Sequence, residues 1–177
     1  ITEWKGHEMF IEAMNKINIQ LGHKSFKAVI LGSDQGRDLY KKKLVRLVEQ
    51  YRMNDQIKFV DHCENMPLAY KISDLIVSTS IEPEAFGRIA VEAQSMEKPI
   101  IASNLGGSKE TIANNKTGIL FDAGDSDDLS KKIIEFFNFD KSKIEQMGKE
   151  GRKNVSAKFN VEKMCFSTYS EYKKLIN

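Results

Sequence analysis

Residues 75–93 read LIVSTSIEPEAFGRIAVEA. The first four, Leu75–Ser78, form a short apolar run of the kind that makes a strand. A polar loop containing Pro83 follows, and a helical pattern opens near Phe86-Gly87 and continues through Ile89–Met96. In an open parallel sheet, ligands bind beyond the carboxyl ends of the strands. Helix N-termini there present unpaired N–H groups, which together with the helix dipole favour a phosphate. Gly87 removes the side chain where such a group comes nearest, and Arg88 adds a positive charge. Glu84 lies in the loop and Glu92 about a turn and a half into the helix, a separation of roughly 12 Å if the whole interval were helical. Carboxylates accept hydrogen bonds from hydroxyls, so this pair suits the two ends of a sugar-bearing nucleotide. Spacing alone leaves the other reading open, that both are solvated surface charges, as most glutamates are.

Outward from this segment, the pattern alternates. Phe26–Leu31, Ile57–Val60, Pro99–Ala102 and Gly118–Phe121 are further short apolar runs, predicted as strands covered on both faces. Helical periods lie between them: Phe10, Ile11, Met14, Ile17 and Leu21, then Leu44, Leu47, Val48 and Tyr51. Leu68, Ala69 and Ile72 suggest a short helix, and Leu129, Ile133, Ile134 and Phe137 a longer one starting after Asp125-Ser126. From about Lys141 the pattern is helical only, with a break near Phe159-Asn160 and a last helix over Val161–Leu175. The expected fold is α/β, a Rossmann-like parallel sheet flanked by helices, in one domain spanning residues 1–177. Its first helix begins almost at residue 1, whereas such units open with a strand, so a strand is expected before Ile1.

The 177 residues are 41% hydrophobic and 29% charged, the balance of a soluble globular chain rather than a disordered one. No apolar run approaches the roughly 20 residues a membrane helix needs. A net charge of +2 lacks the clustered excess of nucleic-acid binders. Cys63 and Cys165 form no paired framework and read as free thiols of a reducing compartment. His62 and Cys63 have no further ligands at zinc spacing, so no metal site is expected. No G-x-G-x-x-G follows a strand, which argues against a dinucleotide-dependent oxidoreductase. His7 and His23 read as helix-surface histidines, with no Ser-His-Asp or Cys-His arrangement around them.

Five segments occur in order: the strand at residues 75–78, E-x-E-A-F-G-R-x-A-V-E-A at 82–93, K-P-I-I-A-S at 98–103, G-G-S-K-E at 106–110 and T-G-I-L-F at 117–121. This set resembles the family 4 retaining glycosyltransferases of GT-B architecture, two Rossmann-like domains facing a cleft. It covers nearly the whole chain and corresponds to their C-terminal, donor-binding domain. The resemblance implies that Glu84 lies by the transferred sugar in a catalytic or orienting role and that Glu92 binds the ribose. It implies backbone contacts from Phe86 and Gly87 to sugar or phosphate, Lys5-Gly6 at the diphosphate together with an arginine before Ile1, and a cleft-facing Gly106, Gly107 and Glu110, the last equally readable as a first-turn helix acid. His62 and Cys63 fall where family members cradle the base. Arg88 departs from the leucine common at its position, and two readings stay open for it, a contact to phosphate or acceptor and a plain surface arginine.

The expected function is therefore retaining transfer of a sugar from a nucleoside diphosphate, UDP preferred over GDP, to a glycan, lipid or small-molecule acceptor held by an N-terminal domain. No metal or other cofactor is implied. Surface-polysaccharide or lipopolysaccharide assembly in the cytoplasm, at the inner face of the membrane through the other domain, is the expected setting. The chain alone is expected to bind nucleotide weakly and transfer nothing. Two rivals remain, a GT-B-like sugar-nucleotide epimerase and a non-catalytic nucleotide-sugar-binding module.

Overall fold

A computed structural model describes residues 1–22 and 26–176; His23 lies outside them. After a short 3-10 turn at Glu3–Lys5, the chain alternates helix and strand: α1 (His7–Leu21), β1 (Ala28–Leu31), α2 (Asp38–Gln50), β2 (Ile57–Val60), α3 (Met66–Ile72), β3 (Ile76–Ser78), α4 (Arg88–Ser95), β4 (Ile100–Ser103), α5 (Ser108–Thr111) and β5 (Ile119–Phe121). It ends in α6 (Ser126–Phe137), α7 (Lys141–Lys158) and α8 (Val161–Ile176). β1 pairs with β2, and β3, β4 and β5 pair in that order; every pairing is parallel. This is the expected α/β class, Rossmann-like parallel sheets flanked by helices.

Period-two alternation along the strands sorts the core into two layers. Ile101 points with Ile119 and Phe121 into a cluster with Met9, Ile11, Met14 and Ile17 of α1, Leu44 and Val48 of α2, and Leu129 and Ile133 of α6. Ile100 and Ala102 point the other way, to Tyr70 of α3 and Ala90 and Ala93 of α4. β4 is buried along its whole length, while Val29 of β1 is 58% exposed. The expectation that all five strands are covered on both faces therefore fails at β1.

The short helix α3 forms as expected. Leu68 and Ile72, which mark it in the sequence, face outward, 52% and 76% exposed, and its one buried residue is Tyr70. Seven residues make two turns, too few to show a stripe, so tertiary packing decides the face. The start of α6 is as expected: the Asp125 carboxylate accepts from the N–H groups of Asp127 and Asp128 at 2.8 and 2.9 Å. The break at Phe159-Asn160 is real, and Asn160 Oδ1 caps the next helix by accepting from Lys163 N at 2.8 Å.

α4 carries the second half of the 82–93 segment, and α7 locks it in place. Gln94, fully buried, donates to the carbonyls of Ala90 and Thr111, both at 3.0 Å, while Asn154 of α7 donates to Thr111 O at 3.0 Å and to Gln94 Oε1 at 3.2 Å. Gly148 and Gly151 let α7 approach this closely. A Cβ at Gly148 would lie 2.1 Å from the Glu97 carbonyl oxygen. Mid-helix, Gly→Ala alone adds about 1 kcal/mol of stability. Here Gly148→Ala is expected to remove about 1–3 kcal/mol through overpacking, read as a lower urea midpoint with unchanged slope. A raised midpoint would mean that the α7–α4 contact does not exist.

His7 departs from its surface assignment. It is half-buried at the start of α1, its ring edge-on to Tyr40 at 6.3 Å and its Nδ1 3.2 Å from Thr2 O. Burial pushes its pKa down to about 4, against the opposing pull of the Thr2 carbonyl. The unfolded chain takes up this proton near pH 6.5 and the folded one only near 4, so stability is lost as pH falls across that interval. His7→Gln is expected to remove a stability loss on the order of 3 kcal/mol between pH 6.5 and 4, measured by urea titration at each pH.

Candidate functional site

The site is built around Gly6. This residue adopts the left-handed conformation, φ 67°, ending the 3-10 turn and opening α1 at once. A Cβ here would lie 2.1 Å from the Thr79 carbonyl oxygen, so only glycine allows the approach. Thr79 Oγ1 donates to Lys5 O at 2.8 Å and Ile81 N donates to Trp4 O at 2.8 Å. Residues 4–6 are thereby fixed over the carboxyl end of β3. Lys5 Nζ lies 4.3 Å from the Trp4 ring centroid and donates to Glu84 Oε1 at 2.8 Å. With side chains only 27% and 18% exposed, this ion pair is partly shielded from water. Ser80, 6% exposed, donates its hydroxyl to the same Glu84 oxygen.

The loop holding Glu84 is supported from below by the turn after β4. Gly107 N donates to Glu84 O at 2.8 Å. A Cβ at Gly106 would meet Glu84 O at 2.5 Å, and one at Gly107 would meet Phe86 C and O at 2.5 Å. Gly106 and Gly107 thus pack under the loop and do not line the cleft above it. Gly87, φ 72°, caps α4, whose N-terminus opens onto the cleft. Phe86, 44% exposed, meets Phe159 edge-on at 5.5 Å.

One turn into α4, Glu92 takes a hydrogen bond from Tyr70 OH at 2.7 Å on Oε2 and one from Arg88 Nη2 at 2.9 Å on Oε1. The Arg88 side chain is 83% exposed. Lys5, Glu84, Ala85, Phe86, Gly87, Arg88, Ile89 and Glu92 line a single open cleft of about 480 Å³. Two carboxylates, an ammonium and a helix N-terminus in one cleft can bind hydroxyls and an anion side by side.

Of the residues singled out from the sequence, Lys5, Phe86, Gly87, Arg88, Glu84 and Glu92 line this cleft, and Gly6, Gly106 and Gly107 shape it. Glu110 is exposed in the first turn of α5, away from the cleft lining. His62 is exposed and Cys63 half-buried in the segment after β2, also outside that lining. Lys41 binds there, reaching Asp61 at 2.8 Å and Asp34 at 3.5 Å across the carboxyl ends of β1 and β2. Ser80 and Tyr70 were missed; Ser80 stands within the quoted segment, but nothing in the sequence marks the oxygen it reaches. Among the described residues no group of three or more His, Cys, Asp and Glu is placed to hold a metal ion, and no helix is long and apolar enough to cross a membrane.

The chain is 28% identical over 160 residues to the capsular polysaccharide biosynthesis glycosyltransferase CapM of Staphylococcus aureus, covering 90% of this chain and 40% of that protein. A glycosyltransferase crystal structure from Rickettsia africae ESF-5 superposes with a TM-score of 0.91 at 31% identity, over 99% of this chain and 46% of that one. Anabaena Alr3699/HepE, in a crystal structure with UDP and glucose, superposes at 0.88 with 25% identity, over 98% and 46%. The chain spans less than half the length of each. Residues 1–154 match the family described as Glycosyl transferases group 1, and the chain belongs to that family.

Proposed function

We propose that this chain is the C-terminal, donor-binding half of a two-domain GT-B glycosyltransferase that moves a sugar from a nucleoside diphosphate to an acceptor with retention at the anomeric carbon. The observation that carries this is the single cleft in which Lys5, Glu84, the α4 N-terminus and Glu92 stand together. Glu92 takes the ribose hydroxyls and Glu84 the hydroxyls of the sugar. Between them the diphosphate lies against the open N–H groups at Gly87 and Arg88. As the anomeric carbon–oxygen bond breaks, negative charge builds on the leaving diphosphate, and the Lys5 ammonium and helix N-terminus stabilise it there. The family 4 motif order supports retention, and the HepE complex supports UDP. The name of CapM supports a surface polysaccharide as the product.

The acceptor, a glycan, lipid or small molecule, would be held by the other half of the protein. That half also accounts for α8. None of the residues of α8 is buried, and Val161, Met164, Tyr169, Tyr172, Leu175 and Ile176 lie 62–84% exposed along one face of the helix.

Binding and transfer are separable. On the isolated chain, UDP is expected to raise the melting temperature more than GDP or ADP, by an amount equivalent to about 2.7 kcal/mol at a hundred times its dissociation constant. No sugar transfer should accompany it. Equal shifts with all three nucleotides would remove the preference for uridine, and turnover would remove the need for a second half.

In the intact protein, Glu84→Gln and Lys5→Met should each lower transfer by about 10²-fold or more, with unchanged circular dichroism. The assay follows both nucleotide release and the sugar product. Wild-type rates in both variants, or epimerised donor formed without acceptor, would overturn the assignment.

A further inference from the structure

Tyr70 and Glu92 are 22 residues apart in sequence and meet at 2.7 Å. Tyr70 is the one buried residue of α3, its ring packed with Ala90 and Ala93 on the inner side of α4. Its hydroxyl faces the cleft side of that helix and ends on Glu92 Oε2. Burial, and then the hydrogen bond to Glu92, push the hydroxyl's pKa far up, so it stays a donor throughout the physiological range. The other oxygen, Oε1, is held by Arg88, one turn away on the same helix. These two donors differ in kind. An exposed i,i+4 pair contributes little and exchanges readily with water. A buried phenol on a carboxylate makes a charge-assisted bond from a side chain with nowhere else to go.

We propose that Tyr70 is a positioning residue: its buried hydroxyl holds the Glu92 carboxylate in the one orientation that accepts a ribose diol, and Arg88 yields Oε1 when the nucleotide arrives. This rests on the donor-domain assignment above. A carboxylate offers about four lone-pair sites. With Tyr70 on one, three remain after Arg88 leaves, enough for two hydroxyls. Without Tyr70 the glutamate must be ordered by the ligand itself, and that cost falls only on ligands that use the diol.

The test is calorimetric titration of the intact protein with UDP and with 2′,3′-dideoxy-UDP. Tyr70→Phe keeps the ring in the core and removes only the donor. It is expected to weaken UDP about five- to tenfold while leaving dideoxy-UDP within about twofold of wild type. In the Glu92→Gln background the same change should add no further loss. Equal weakening of both ligands would mean general damage to the site and would overturn the proposal, as would unchanged UDP affinity. Failure of the donor-domain assignment looks different: wild type binds neither ligand, or Glu92→Gln leaves the gap between them as wide as before. Either result takes the Tyr70 role down with it.

Discussion

No Cβ fits between Gly6 and the Thr79 carbonyl, and the root of Lys5, which reaches Glu84, is set by that contact. Because two backbones touch there, Lys5 reaches Glu84 from a fixed root rather than from a flexible tail. The opposite side of the same loop is clamped in the same manner, where Gly106 and Gly107 leave no room for a Cβ against Glu84 and Phe86. Backbone-to-backbone packing does not depend on rotamers. A loop held this way positions its glutamate more sharply than side-chain contacts alone would, which is what a binding site needs. Three glycines scattered over a hundred residues therefore act on one short segment.

That arrangement explains what was legible beforehand. Strand, loop and helix run consecutively through residues 75–93, so the carboxyl-end geometry of Glu84, Gly87 and Glu92 follows from local pattern. The glycine at 6 and the pair at 106–107 were recognised through family resemblance. Their role as clamps became visible only in three dimensions, since nothing local tells a glycine under a loop from one touching a ligand. Tyr70 was hidden for a further reason. The apolar spacing of Leu68, Ala69 and Ile72 marks a helix but not its inner face, and a two-turn helix takes its orientation from the packing around it. His7 was read as a surface residue because an amphipathic stripe says nothing about the 3-10 turn that folds back over its ring.

The last helix shows where local pattern and burial part company. Its break from α7 at Phe159 was read correctly, and its amphipathic period is plain, yet it buries nothing within the chain. Phe159 itself packs edge-on against Phe86 of the cleft. The hinge of an uncovered helix and a wall of the site are therefore the same contact.

Charge settles how the cleft is organised before any ligand arrives. Its two cations each rest on a carboxylate, Lys5 on Glu84 and Arg88 on Glu92, so the empty cleft carries nearly balanced charge. The two pairs are not equivalent. Lys5 is shielded, stacked on Trp4 and fixed by Gly6, so an incoming anion meets it where it stands. Arg88 is almost wholly in water and gains little from Glu92, so it is the pair that opens. Under the proposed function, a diphosphate would meet one cation fixed in position and one free to swing, with the Glu92 carboxylate still held by Tyr70 from inside. The asymmetry between a fixed and a movable cation follows from burial together with the Trp4 and Gly6 contacts that hold Lys5.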